Sequence, residues 1–250
     1  MTFWVLRFIA ANVVMFVIST AAPQVVTMLM LVPIWVFSRP WTLVTYMFLH
    51  ANIWHLFFNM LALYFFGPRL ELEIGSRHFF WLYLVSGLMG AALSFVFTPY
   101  TSIVGASGAI FGVLYGFAHY WPREPIYIWG VLPIEARWLV IGMAALSLFG
   151  GFGGGGGDIA HFAHLGGFVG GFVYIRWLGR KMTAKKFGAE IPSSSPSTVD
   201  LKRWSRIPRE RLHEVNRAEL DRIMAKINVS GPQSLTPTER SFLDRFSTDT

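Results

Sequence analysis

The sequence predicts an all-α fold: a polytopic membrane bundle of six transmembrane helices followed by a small helical C-terminal tail. Of its 250 residues 54% are hydrophobic and only 14% charged. Several apolar runs approach the roughly 20 residues that cross a bilayer. Segments such as 79–97 are apolar nearly all round, whereas the core helix of a soluble protein keeps a polar face at period 3.6. Charge is also unevenly placed, with a net +1 over residues 1–175 and +6 over 176–250.

That charge distribution argues against nucleic-acid binding. The basic excess follows a membrane exit and is interleaved with acids, which suits positive-inside placement better than a phosphate-binding stripe. Cysteine is absent, which excludes disulfides, a thiolate nucleophile and cysteine metal sites.

In chain order the expected spans are 3–21, 54–70, 78–97, 104–121, 136–150 and 159–178. For residues 1–22 a cleavable signal peptide is the alternative, since Arg7 precedes an apolar stretch ending in Ser19-Thr20-Ala21-Ala22. The connector 22–53 is rich in Trp, Leu and Val but broken by Pro23, Pro33 and Pro40. It is expected to lie in the interface as an amphipathic or re-entrant segment, with a seventh short span as the alternative. Arg7, Arg69, Arg77, Arg123, Arg137 and the tail fall on one side of the bundle and Arg39 on the other, so both termini are expected in the cytoplasm. Spans two, four and six then all enter from the outer face.

After span six, Lys181, Lys185 and Lys186 form a basic collar suited to anionic headgroups. Pro192-Ser193-Ser194-Ser195-Pro196-Ser197 reads as a linker. The expected organisation is a membrane domain at 1–180, collar and linker at 181–207, and a helical tail at 208–250. Residues 208–228 carry Leu212, Val215, Leu220, Ile223, Met224 and Ile227 on one helical side. Thr236-Pro237-Thr238-Glu239 has the form of a capping box.

Polar side chains within spans are costly and mark functional candidates. Ser107 opens span four in Gly105-Ala106-Ser107-Gly108, and His164 lies near the start of span six. Serine becomes a nucleophile when a neighbouring base takes its proton, and histidine is the usual base. Close helix packing is the competing explanation for Ser107, given Gly105, Gly108 and Gly112 around it. Gly167 and Gly171 share a helix face with His164 and would let it approach span four. Phe111, one turn beyond Ser107, could stack on the imidazole. His55 and Asn59, at i and i+4 on span two, are candidate donors to an oxyanion together with the Ser107 amide; an interhelical hydrogen bond is the alternative.

No carboxylate clearly completes a triad. Asp158 is six residues before His164 and suits an N-cap. The segment around Ser107 departs from the Gly-x-Ser-x-Gly elbow. His50 and His55, five apart, and His161 with His164 lack metal-ligand spacing, so no metal and no cofactor are expected.

Residues 1–178 resemble the rhomboid intramembrane serine proteases. The resemblance is carried by Trp41 to Asn59, including His50 and His55, by Gly67-Pro68-Arg69-Leu70-Glu71 with Gly75, by Gly105-Ala106-Ser107-Gly108, and by Ala163-His164-Leu165-Gly166-Gly167 with Gly171. It implies Ser107 as nucleophile, His164 as general base, His55 and Asn59 at the oxyanion site, and structural roles for Glu71 and Arg39. It implies transmembrane protein substrates cleaved near their outer end, and a bacterial inner-membrane location. The glycine run 150–157 reads as a mobile lid, and the tail resembles an extension of some bacterial rhomboids whose partner the sequence does not reveal. A non-proteolytic escort of membrane segments is the rival function.

Overall fold

The computed structural model describes residues 1–128, 130–152, 160–190 and 198–247, arranged as two compact units, Met1–Leu178 and Gly179–Thr250.

The first unit opens with α1 (Phe3–Ala21), followed by short helices α2 (Gln24–Leu29) and α3 (Thr42–Thr45), with 3-10 turns at Pro33–Trp35 and Tyr46–Phe48. The connector is thus a chain of short helical turns, one of which opens at Pro33. Next come α4 (Ile53–Ile74), α5 (Ser76–Phe97) and α6 (Ser107–Tyr120). Strands β1 (Pro125–Ile128) and β2 (Leu132–Glu135) form an antiparallel hairpin that the all-α expectation lacked. It leads into α7 (Ala136–Phe152), and then α8 (His161–Glu190) follows.

By length and composition α1 and α5 are long and apolar enough to cross a membrane, and α7 is a shorter apolar helix. Helix α6 sits at the centre of the bundle, buried at nearly every position from Gly108 to Ala118. Helix α7 is peripheral, with only Ala136 and Ser147 buried.

Local signals set the helix boundaries. Asn52 caps α4 by accepting from the His55 amide at 2.9 Å. Gly75, at φ +82°, ends α4 and reverses the chain directly into α5, a conformation that glycine adopts without a side-chain penalty. At this end of the bundle the buried Glu71 carboxylate accepts from the Thr2 hydroxyl at 2.5 Å, the Trp4 and Val5 amides at 3.0 and 3.1 Å, and the Ser76 hydroxyl at 2.7 Å. One side chain of α4 thus caps α1 and holds the start of α5, an anion placed among unpaired helix N-terminal amides. Replacing Glu71 by alanine leaves those donors without a partner and is expected to cost ~3 kcal/mol. The check is a lowered thermal unfolding midpoint of the purified protein, with Glu71→Gln intermediate.

The second unit contains α9 (Thr198–Trp204), α10 (Glu214–Ser230) and α11 (Pro237–Phe246). Trp204, Ile207, Leu220, Ile223, Leu235 and Leu243 form its core. The helical tail thus begins earlier than residue 208, because Trp204 and Ile207, in the stretch expected as collar and linker, supply apolar surface that the later helices bury. The expected Ser/Pro linker at 192–197, the Asp158 cap and most of the glycine lid lie outside the described residues, whereas Gly150 and Gly151 belong to α7.

The capping box at Thr236 is present in full. Glu239 accepts from the Thr236 amide at 2.8 Å, from Lys226 at 2.7 Å and from Arg222 at 2.8 Å. Burial alone would raise its pKa, but the bonds from Lys226, Thr236 and Arg222 outweigh burial and hold it at about 2. A depressed carboxylate stabilises the fold above its unfolded pKa, about 4.3, and that contribution is lost as pH falls from there through 2. Amide exchange within α11 is therefore expected to accelerate over that window, and Glu239→Gln to remove most of the pH dependence.

Candidate active site

Ser107 is the first residue of α6, and the chain before it is pinned on two sides. Leu31 and Ile103 exchange backbone hydrogen bonds at 3.1 and 2.8 Å. The Gly105 amide donates to the Tyr46 carbonyl at 2.9 Å. Tyr46 itself is almost wholly buried and donates its hydroxyl to the Gly87 carbonyl on α5 at 2.8 Å. In the sequence Tyr46 is signalled only as a phenol inside an apolar stretch, which must find a hydrogen-bond partner when buried.

Helix α6 has 14 residues, so it is about 21 Å long, against a hydrocarbon core of about 30 Å. The chain that leads into it, residues 98–106, is non-helical.

Helix α8 brings His164 to Ser107 through contact of the two backbones. A β-carbon added at Gly167 would overlap the Gly108 carbonyl oxygen, and one at Gly171 would lie 2.8 Å from the Gly112 Cα. On its other flank α8 meets α5, where a β-carbon at Gly170 would stand 2.7 Å from the Ser86 Cα. Such rows of small residues give close helix approach. The separation of Ser107 and His164 is therefore fixed by main-chain packing rather than by long side chains.

The result is a 2.8 Å hydrogen bond between Ser107 Oγ and His164 Nε2. Both residues are half-buried, so the pair is sheltered yet reachable. Phe111 stacks on the His164 ring with centroids 4.3 Å apart and planes inclined at 18°. Phe168, one turn after His164, packs in turn against Phe111 at 4.7 Å. Together these rings restrict rotation of the imidazole, and Phe168 was not singled out in the sequence.

His55 lies against the same loop. Gly105 adopts φ +129°, and a β-carbon there would come within 2.8 Å of His55 Nε2 and 3.7 Å of Ser107 Oγ. Only glycine combines that backbone conformation with the approach of the ring. Asn59 is buried, and its amide nitrogen donates to the His55 carbonyl at 2.7 Å. One of the two Asn59 N–H groups is thus committed to its own helix, leaving the other to point elsewhere. His50 is buried edge-on against His55, with centroids 5.0 Å apart. His161, a turn before His164, lies 6.5 Å from it ring to ring.

Seven of the nine expected site residues (Ser107, His164, Phe111, Gly105, Gly167, His55 and His50) thus gather around one helix end. Gly171 lies one turn further along α8, and Asn59 one turn along α4.

A polar pair recessed in an apolar helical bundle defines a class, membrane proteins with a hydrophilic site among their helices. The Rhomboid domain family matches residues 38–181 of the chain. The chain is 39% identical over 155 residues to the rhomboid protease GluP of Bacillus subtilis, covering 62% of this chain and 29% of that protein. It is 38% identical over 135 residues to RHOMBOID-like protein 1 of Arabidopsis thaliana, covering 53% and 33%. With Rhomboid-like protease 3 of Toxoplasma gondii it shares 32% over 146 residues, covering 57% and 53%. The chain belongs to the rhomboid family and is an integral membrane protein. Its match spans about a third of the first two relatives' length.

Proposed function

We propose that this rhomboid is an intramembrane serine endopeptidase that cleaves transmembrane segments of other proteins near the outer face of the bilayer, with Ser107 and His164 as a catalytic dyad and no cofactor. The observation that carries this reading is the 2.8 Å contact between Ser107 Oγ and His164 Nε2, within the reach a nucleophile and its base require. The protease names of two relatives support it.

In this mechanism Ser107 Oγ attacks a peptide carbonyl as His164 Nε2 takes its proton. The imidazolium returns that proton to the leaving amine, and water then hydrolyses the acyl ester by the same route. Charge developing on the carbonyl oxygen is met by the Ser107 amide at the start of α6, by the His55 ring and by the uncommitted Asn59 N–H. Stacking on Phe111 keeps the imidazole aimed at Oγ.

The remaining features follow from the same reading. Helices α1, α4, α5, α6, α7 and α8 are the six spans, with both termini cytoplasmic and the Ser107 end toward the outer leaflet. Residues 1–180 form the catalytic domain, a basic membrane-proximal segment follows, and the helical tail takes in Trp204 and Ile207 together with 208–250. Purified protein reconstituted with a reporter transmembrane helix tests the proposal. Release of a new fragment that maps to a bond near the outer end of the helix supports it. Binding of the reporter without release would make the chain an escort.

A further inference from the structure

The hairpin between α6 and α7 breaks the pattern expected of a strand pair in water. From Pro125 to Ile134 the chain has no charged side chain, and its one hydroxyl belongs to Tyr127. A solvated two-stranded ribbon alternates apolar and polar residues and guards its edges with charge. Here Ile126 pairs with Ile134, Tyr127 with Pro133 and Ile128 with Leu132, so both faces are apolar. Ile126 packs on Phe117, Ala118 and Ala136 at the helix ends. Tyr127, Val131 and Leu132 are left 60%, 82% and 58% exposed.

Charge is confined to the base of the hairpin. Arg137 pairs with Glu135 at 2.6 Å, and Arg69 with Glu124 at 3.0 Å. Arg69 also lies over the Trp121 ring at 4.2 Å, and Arg137 over Trp138 at 5.3 Å. Arginine and tryptophan together mark the headgroup level of a membrane helix. The hairpin is strung between two such ends, since α6 stops at Tyr120 and β2 runs straight into α7. Its polar base and apolar tip reverse the gradient of a ribbon projecting into water. The outer edges of a two-stranded ribbon have unpaired backbone groups, which keeps it out of the hydrocarbon core but not out of the interface.

We propose that this hairpin lies in the lipid interface at the bundle end opposite Ser107, its tip side chains at Tyr127, Val131 and Leu132 seated among headgroups and upper acyl chains. With α6 and α7 as spans, as proposed above, the hairpin joins two helix ends at the bilayer surface, and its apolar tip fits lipid as the occupant. The inference rests on the membrane character of the family and on the proposed placement of α6 and α7 as spans, not on proteolysis.

The chain has no cysteine, so single-cysteine variants can be labelled without background. Val131→Cys and, separately, Leu132→Cys carry an environment-sensitive fluorophore in phosphatidylcholine–phosphatidylglycerol nanodiscs. Val229→Cys, at an 87% exposed position of the second unit, is the water reference. With nitroxide attached near the top of the acyl chain, emission at 131 and 132 is expected to fall by about half, because apolar faces of interfacial segments sit roughly 5–10 Å into that region. Aqueous iodide is expected to quench these sites several-fold less than 229. Iodide quenching equal to that at 229, without nitroxide quenching, would overturn the proposal by placing the tip in water. Protection from both quenchers would overturn it by placing the tip against protein, such as a second copy pairing along the ribbon edge.

Discussion

Replacing Ser107 by alanine is expected to lower the rate of reporter cleavage by at least about 10⁴-fold, to the level that positioning and oxyanion donors supply without a nucleophile. His164→Ala is expected to fall as far, because an unassisted serine hydroxyl stays protonated and weakly nucleophilic. Combining the two is expected to cost little more than either alone, since a nucleophile and its base act as one unit. The measurement is the initial rate on a reconstituted transmembrane reporter at saturating substrate. The structural reason is that, among the described residues, Ser107 Oγ has His164 Nε2 as its one side-chain hydrogen-bond partner, at 2.8 Å. Thermal stability is expected to change little in Ser107→Ala, because the hydroxyl is half-buried at a helix start.

Gly167→Val is expected to abolish cleavage without touching either reacting group. Its β-carbon would overlap the Gly108 carbonyl oxygen, and the adjoining Gly108 atoms are backbone as well. Backbone cannot rotate aside as a flexible side chain does, so α8 must move away from α6 and carry His164 with it. Overpacking alone costs about 1–3 kcal/mol, and proton transfer fails once the nitrogen leaves hydrogen-bond range. Gly142→Ala on α7, where an added β-carbon meets nothing within 4 Å, is the control and is expected to keep normal activity. Loss of cleavage in Gly167→Val with an unchanged unfolding midpoint would argue that α8 had not been displaced.

Much of this geometry is legible in the sequence because it is local or periodic. Gly167 and Gly171 share a face with His164 through helical spacing alone, and in the structure they are where α8 touches α6. The reach of Phe111 to the imidazole follows from its place one turn beyond Ser107. The capping box at Thr236 reads directly from four residues. The features that the sequence does not show depend on partners distant in the chain. Tyr46 acts on Gly87 and Gly105, 41 residues away in the first case, and nothing in its own neighbourhood announces either contact. The hairpin at 125–135 lacks the alternation by which a strand is recognised, because both of its faces are apolar. Trp204 and Ile207 gave no periodic signal, since they join the tail core from a short helix and the turn after it.

Glu71 lies between these cases. Its motif placed it among structural residues, but the burial of the carboxylate under α1 follows from α1 crossing α4 at Gly67, where an added β-carbon would come within 2.6 Å of Val5. A crossing point between helices is a tertiary fact that spacing within either helix does not encode.

The central claim is that the Ser107 hydroxyl is activated by His164 in a water-reachable recess. Treating the reconstituted protein with a fluorophosphonate and locating the adduct by peptide mass tests it directly. The expected result is a single phosphonylated residue, Ser107, with labelling lost in His164→Ala. No adduct at Ser107 in folded protein, or equal labelling with and without His164, would contradict it.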